Sequence, residues 1–172
     1  MASPKCKRDV RFIVDKMHGD LVRWLRILGY NTLYMSNAGD KEIAEKAASS
    51  HRILVSRDKG LVHRARKLGV RAYLITGVEP EDKLAELALY TGICLDYDEE
   101  RTRCPECNTP LRVVDKGEVK GRVPPRVYEE YDRFLVCPNC GKVYWYGSHW
   151  IDIRRRLESA RQQLRKMKRW RP

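Results

Sequence analysis

No stretch of the chain approaches the roughly 20 apolar residues needed to span a bilayer, so no contact with a membrane is expected. The opening, Met1-Ala2-Ser3-Pro4-Lys5-Cys6, has no hydrophobic run behind it and does not read as a secretory signal. A glycine-rich phosphate loop is missing, which argues against nucleotide-cradling chemistry. Histidine is sparse, with four scattered residues, and no serine or cysteine stands in a nucleophile pattern. Acidic residues are outnumbered: 35 Lys and Arg against 23 Asp and Glu leave a formal net charge of +12. Such a field draws polyanions, so nucleic acid is the first partner to consider. Charged residues at 34% also suit a heat-adapted protein.

Against these absences stand four cysteines in two matched pairs, Cys104-Pro105-Glu106-Cys107 and Cys137-Pro138-Asn139-Cys140-Gly141. Together they supply the tetrahedral sulfur set that Zn²⁺ prefers. The two-residue gap lets one tight turn aim both thiolates at a single ion. Pro105 and Pro138 stiffen those turns, and Gly141 permits the positive φ that closes such a knuckle. Two disulfides or a redox dithiol are the competing readings. Four protein ligands leave no open position, so a zinc here would be structural and the chemistry would lie elsewhere. Cys6 reads as an exposed tail thiol and Cys94 as a small core residue. Reduced, metal-binding cysteines predict a cytoplasmic protein.

From residue 11 to 95 short apolar runs alternate with amphipathic stretches. Residues 11–15, 32–34, 53–56 and 71–75 read as strands, with a fifth at 93–95. Residues 19–28, 40–48, 58–68 and 80–90 read as helices. Asp40 is the expected N-cap of the second, and Gly29 and Gly69 stop the first and third. This rhythm predicts an α/β fold, a parallel sheet covered on both faces. An acidic connector, Asp96 to Glu100, separates it from the cysteine-rich segment. The predicted organisation is an α/β unit over 9–98, a zinc ribbon over 99–150 and a basic C-terminal helix over 151–172.

Three acidic positions fall at the carboxyl edge of that sheet, where such folds bind ligands. Asp15 ends the first strand, Asp58 follows the third, and Asp40 and Glu42 open the helix after the second. Crowded carboxylates repel unless a cation sits among them, which points to Mg²⁺ or Mn²⁺. Such a site can bind a phosphate oxygen and activate water for in-line displacement. Helix capping is the simpler account of Asp40 and Asp58. Asp15 resists it, because a carboxylate ending an apolar strand is costly to bury unpartnered. Asp20 reads as a solvated first-turn residue, His51 and His63 as surface residues, and His18, three residues after Asp15, as structural or solvated sooner than turned to the site. Glu79 and Asp96 are the candidates for a fourth ligand, with Asp96 preferred.

Val14-Asp15-Lys16-Met17-His18-Gly19 and Arg23-Trp24-Leu25-Arg26-Ile27-Leu28-Gly29-Tyr30 resemble the opening of a known family. It is the PIN-like ribonuclease family named for the C-terminal domain of the Mut-7 exonuclease. Leu54-Val55-Ser56-Arg57-Asp58, Val123-Pro124-Pro125-Arg126-Val127-Tyr128 and Trp145-Tyr146-Gly147-Ser148-His149-Trp150 extend the likeness. The chain departs from the family pattern at Lys16, His18 and Asp20. The resemblance implies a PIN-like three-layer α/β/α domain, a zinc ribbon and metal-dependent ribonuclease activity. By it, Asp15 and Asp58 are metal ligands, assisted by Asp40 or Glu42. PIN-like folds often pair, so a homodimer is an open expectation.

RNA is therefore the expected partner. Arg122, Arg126, Arg133, Lys142, Arg154, Arg155 and Arg156 are candidates for phosphate contacts, and Tyr128, Tyr131, Tyr144, Trp145 and Tyr146 for stacking on unpaired bases. Packing around the knuckles and a solvated helix face are the plainer readings of the same residues. An RNA-binding adaptor that cleaves nothing is the alternative function. A phosphoacceptor domain fits poorly, because Asp9 lies at the wrong end of the first strand and no lysine closely follows Leu95.

Overall fold

The computed structural model describes residues 6–171. Its main sheet has four parallel strands in the order β2-β1-β3-β4. These are β1 (Phe12–Asp15), β2 (Thr32–Met35), β3 (Ile53–Ser56) and β4 (Ala72–Leu74). The central strands β1 and β3 are buried at every position, as a sheet covered on both faces requires. Successive side chains alternate between two cores. Phe12 and Val14 meet α1 (Gly19–Ile27), α4 (Pro80–Thr91) and α6 (Ser148–Arg169). Ile13 and Leu54 meet α2 (Asp40–Ser49) and α3 (Lys59–Lys67) on the other side.

The strand order reverses at β1, which pairs with both β2 and β3. Their carboxyl ends flank the switch point where such folds open a crevice. Helix α1 forms because Leu21, Val22 and Leu25 recur on one face, and all three are buried. Gly29 follows at φ 92°, and a Cβ there would lie 2.9 Å from the Arg101 carbonyl oxygen, so only glycine fits the turn.

Residues 93–95 do not form a fifth strand. They make one parallel bridge, Lys7 to Ile93, although Ile93, Cys94 and Leu95 are all buried. That bridge, with the Lys7 amide donating to Gly92 O at 2.8 Å, brings Cys6 beside Cys94. The two are joined in a disulfide across 88 residues, so Cys6 is not the exposed tail thiol expected from sequence, whereas Cys94 is buried in the core as expected. Asp40 is not a cap either. Gly39 takes that place, and Asp40 is the first helical residue.

A second, antiparallel sheet has the order β5-β6-β7, formed by β5 (Arg112–Asp115), β6 (Arg133–Val136) and β7 (Val143–Tyr144). The insert between β5 and β6 carries α5 (Pro125–Glu130). Val114, Val119, Phe134 and Val136 make its core, with Tyr128, Tyr131 and Trp145 packed against them. Helix α6 begins at Ser148, earlier than expected, and packs along α4. Leu157 and Ala160 bury into the first core, so this basic helix is built into the α/β unit.

Candidate functional site

Asp15 sits at the end of β1 and is 5% exposed. One carboxylate oxygen accepts from the Met17 amide at 3.1 Å, and the other from the Ser56 hydroxyl. Ser56 ends β3 and also accepts from the Asp58 amide at 2.9 Å. A single hydroxyl thus ties the ends of β1 and β3 together at the switch point. Asp58 is exposed and caps α3, its carboxylate accepting from the Leu61 amide at 3.0 Å. Asp40 and Glu42 lie exposed in the first turn of α2, on the same side of the sheet as α3.

Among the described residues, these four acids form no group of three ligand atoms within 4.8 Å of one another. Asp96 is paired with Arg161 at 3.4 Å. It follows a segment bridged to the arm before β1, which places it toward the amino edge, away from Asp15. Glu79 sits at the carboxyl edge but is engaged as the N-cap of α4 in a capping box with Asp82.

His18, expected to be solvated or structural, is fully buried, and neither ring nitrogen has a hydrogen-bond partner. Burial pushes its pKa below the ordinary imidazole value, the nearby Lys83 cation adds to this, and Asp15 opposes it. Asp20 is not simply solvated. It accepts two hydrogen bonds from the Lys83 ammonium, at 2.7 and 2.9 Å, and that lysine is largely buried. His51 and His63 are exposed, as expected. Sequence reasoning missed Ser56, Lys83 and Arg26. A serine ending an apolar strand two residues before an acid was the available signal for the first.

The four paired cysteines converge. Their sulfurs all lie within 4.8 Å of one another, with Cys104–Cys140 at 3.7 Å and Cys107–Cys137 at 3.4 Å. A tetrahedron with Zn–S bonds of about 2.3 Å has edges of about 3.8 Å, so the cluster has the size one Zn²⁺ needs. The two knuckles are built alike. The Asn108 amide donates to Cys104 O and the Gly141 amide to Cys137 O, at 2.9 and 3.0 Å. Asn108 and Gly141 both have positive φ, 70° and 76°. Asn108 earns its place by accepting from the Thr32 amide at 3.0 Å. The thiols share their protons: Cys107 is pulled down to about 5, first by its hydrogen bond with the Thr109 side chain, while Cys140 is pushed up to about 12, its backbone hydrogen bond with Lys142 being outweighed by desolvation and the other three thiols.

Several of the expected phosphate-binding cations are engaged within the protein. Arg122 donates to Gly141 O at 2.7 Å, Arg133 pairs with Glu99, and Lys142 lies 3.7 Å from Glu106. Arg155 pairs with Asp152, and Arg156 reaches Asp152 and Glu81. Arg126 and Arg154 are exposed and have no ion pair among the described residues. Of the aromatic run, Tyr128, Tyr131 and Trp145 contribute to the ribbon core.

The family model described as the Mut7-C RNAse domain matches residues 10–157. No curated protein and no solved structure matches the chain. Among the described residues, no helix is long and apolar enough to cross a membrane.

Proposed function

The chain belongs to the Mut7-C RNAse domain family, and on that premise we propose that it is a metal-dependent endoribonuclease working at the carboxyl edge of its parallel sheet. One observation carries the reading: Asp15 and the start of α3 at Asp58 are joined through Ser56 at the β1/β3 switch point. In this reading Asp15 and Asp58 hold Mg²⁺ or Mn²⁺, and Asp40 or Glu42 assists from α2. A divalent ion there would bind a phosphate oxygen and lower the pKa of water. The donor set suits such an ion. A carboxylate offers about four acceptor positions, whereas Asp15 uses two and Asp58 one. Ser56 and the Met17 amide fix the direction of the Asp15 carboxylate. Asp20 balances the buried Lys83 ammonium.

The four thiolates would hold Zn²⁺ as a closed, structural centre. RNA would lie across the basic surface, with Arg126 and Arg154 the freest of the candidate phosphate contacts and Arg122, Arg133, Lys142, Arg155 and Arg156 supporting them. The cytoplasm is the proposed location. A disulfide beside metal-binding thiols is compatible with it in a heat-adapted cell.

The test is Mn²⁺-dependent cleavage of a mixed RNA pool by the wild type and by an Asp15→Asn, Asp58→Asn double variant. Cleavage by the wild type alone supports the reading, and equal cleavage by both overturns it. A second reading, an RNA-binding adaptor, is favoured by one fact: each acid already accepts a local backbone amide. Binding of RNA without cleavage by the wild type would establish that reading instead.

A further inference from the structure

The aromatic motif at 144–150 does more than fill the ribbon core. A cavity of about 150 Å³ opens where the ribbon, α1 and the start of α6 meet. Its walls include the rings of Tyr97, Tyr144, Trp145, Tyr146 and Trp150. The rings are mutually braced. Tyr97 and Tyr146 stand edge-on to Trp150 with centroids 4.4 and 4.9 Å away. The Tyr97 and Tyr146 hydroxyls are 2.8 Å apart, and Tyr146 donates onward to Glu99. All five rings are half-buried rather than sealed in.

Two of the lining residues, Trp145 and His149, also close on Gly147. The Trp145 indole nitrogen and the His149 Nδ1 lie 3.0 and 3.5 Å from the point that a Cβ on Gly147 would occupy. Gly147 is thus the residue that lets both rings close in. It is also the N-cap of α6, with no side chain capping the helix. Arg23 lines the cavity from α1; its side chain is 64% exposed and its ion pair with Glu106 is a long one, 4.0 Å.

The volume falls below the roughly 300–1000 Å³ of pockets that take drug-sized ligands. It has room for one flat ring, and aromatic side chains make up much of its wall. Every nucleobase offers a π-face, and a base is always tethered to a phosphate that a free arginine can meet. The chain's net charge of +12 favours the same polymer. We propose that this cavity takes one unpaired nucleobase of single-stranded RNA, with Arg23 on the adjoining phosphate. The inference rests on the ribonuclease reading for the identity of the polymer, and it adds a holding point outside the acidic edge.

The test uses the full chain and a 12-nucleotide single-stranded RNA carrying 2-aminopurine, with Ca²⁺ in place of Mn²⁺ during binding. Leu111→Trp fills the cavity without removing a wall, and Arg23→Ala removes an exposed cation; melting curves check that both fold. One stacked base is worth about 1–3 kcal/mol, so Leu111→Trp should weaken binding by about 5- to 150-fold and abolish the 2-aminopurine quench. Arg23→Ala should lower the slope of log affinity against log salt by about 0.7. A duplex of the same sequence, whose bases cannot enter, should bind both variants like the wild type. Unchanged single-strand binding by a folded Leu111→Trp chain overturns the proposal. If the wild type still cleaves RNA with Mn²⁺ in that case, the ribonuclease reading survives it. If the wild type neither binds nor cleaves, the ribonuclease reading fails first and takes this one with it.

Discussion

Asp58 has two jobs in the reading given above, and they can be separated. Its carboxylate caps α3 through one hydrogen bond, from the Leu61 amide at 3.0 Å, and the side chain is exposed. Losing an N-cap of this kind costs about 1 kcal/mol. For a chain of this length that lowers Tm by roughly 2–4 °C. Asparagine caps as well as aspartate does, so Asp58→Asn should melt within about a degree of the wild type, whereas Asp58→Ala should melt lower. Cleavage should sort the variants differently. Both lack the charge that holds a divalent ion, and losing several kcal/mol of metal-supplied stabilisation means about a hundredfold or more in rate. Tm from calorimetry and initial rates of Mn²⁺-dependent cleavage, taken on the same preparations, give two orderings. Expected are wild type ≈ Asn > Ala for Tm, and wild type ≫ Asn ≈ Ala for rate. If Asp58→Asn cleaves like the wild type, the residue is a cap alone and the proposed site loses one of its two main ligands.

Three further outcomes are expected. The purified protein should carry one zinc per chain by elemental analysis, and Cys137→Ser should lose it together with the near-ultraviolet signal of the aromatic ribbon. Reduction of Cys6–Cys94, or Cys6→Ser, should destabilise the chain by at most about 4–5 kcal/mol, the loop-closure value for a crosslink of this span, read as a lower denaturation midpoint. His18→Leu should leave stability at neutral pH unchanged or raise it by about 1–3 kcal/mol, since it removes two buried, unpartnered nitrogens. The sign of its pH effect follows from the lowered pKa. Below about 6.5 the unfolded chain takes up a proton that the folded chain refuses, so wild-type stability falls as pH falls through that value. Denaturant midpoints between pH 5 and 8 should show that slope in the wild type and lose it in the variant.

The sheet and its helices were legible because β1 and β3 are apolar up to their final residues and because glycines at positive φ, Gly29 and Gly69, follow α1 and α3. The knuckles were legible because thiolate geometry tolerates little variation in spacing. Residues 93–95 misled because they are buried as a strand would be, yet backbone pairing, which sequence does not display, reaches only one residue. The disulfide was hidden for a related reason: Cys6 and Cys94 are brought together by that same long-range bridge. At the acidic edge, Asp15 was found through the cost of burying it, whereas Ser56, a small hydroxyl at a strand end, carried too weak a signal to be singled out. Lys83 and Arg26 lie on helix faces that otherwise read as core, and their partners come from distant segments.

Arg26 is the feature with the widest reach. Its guanidinium, buried on α1, donates to the Pro105 carbonyl at 2.8 Å and the Glu106 carbonyl at 3.2 Å, and to the carbonyl of Thr32, the first residue of β2. One cation therefore rivets the first knuckle to the helix that leads away from Asp15. A hinged arm could close around a guest and adapt to its shape, but a riveted one is a fixed jaw. Whatever polymer touches both the ribbon and the acidic edge must do the bending itself, and the entropy of that fit is lost by the guest rather than by the host.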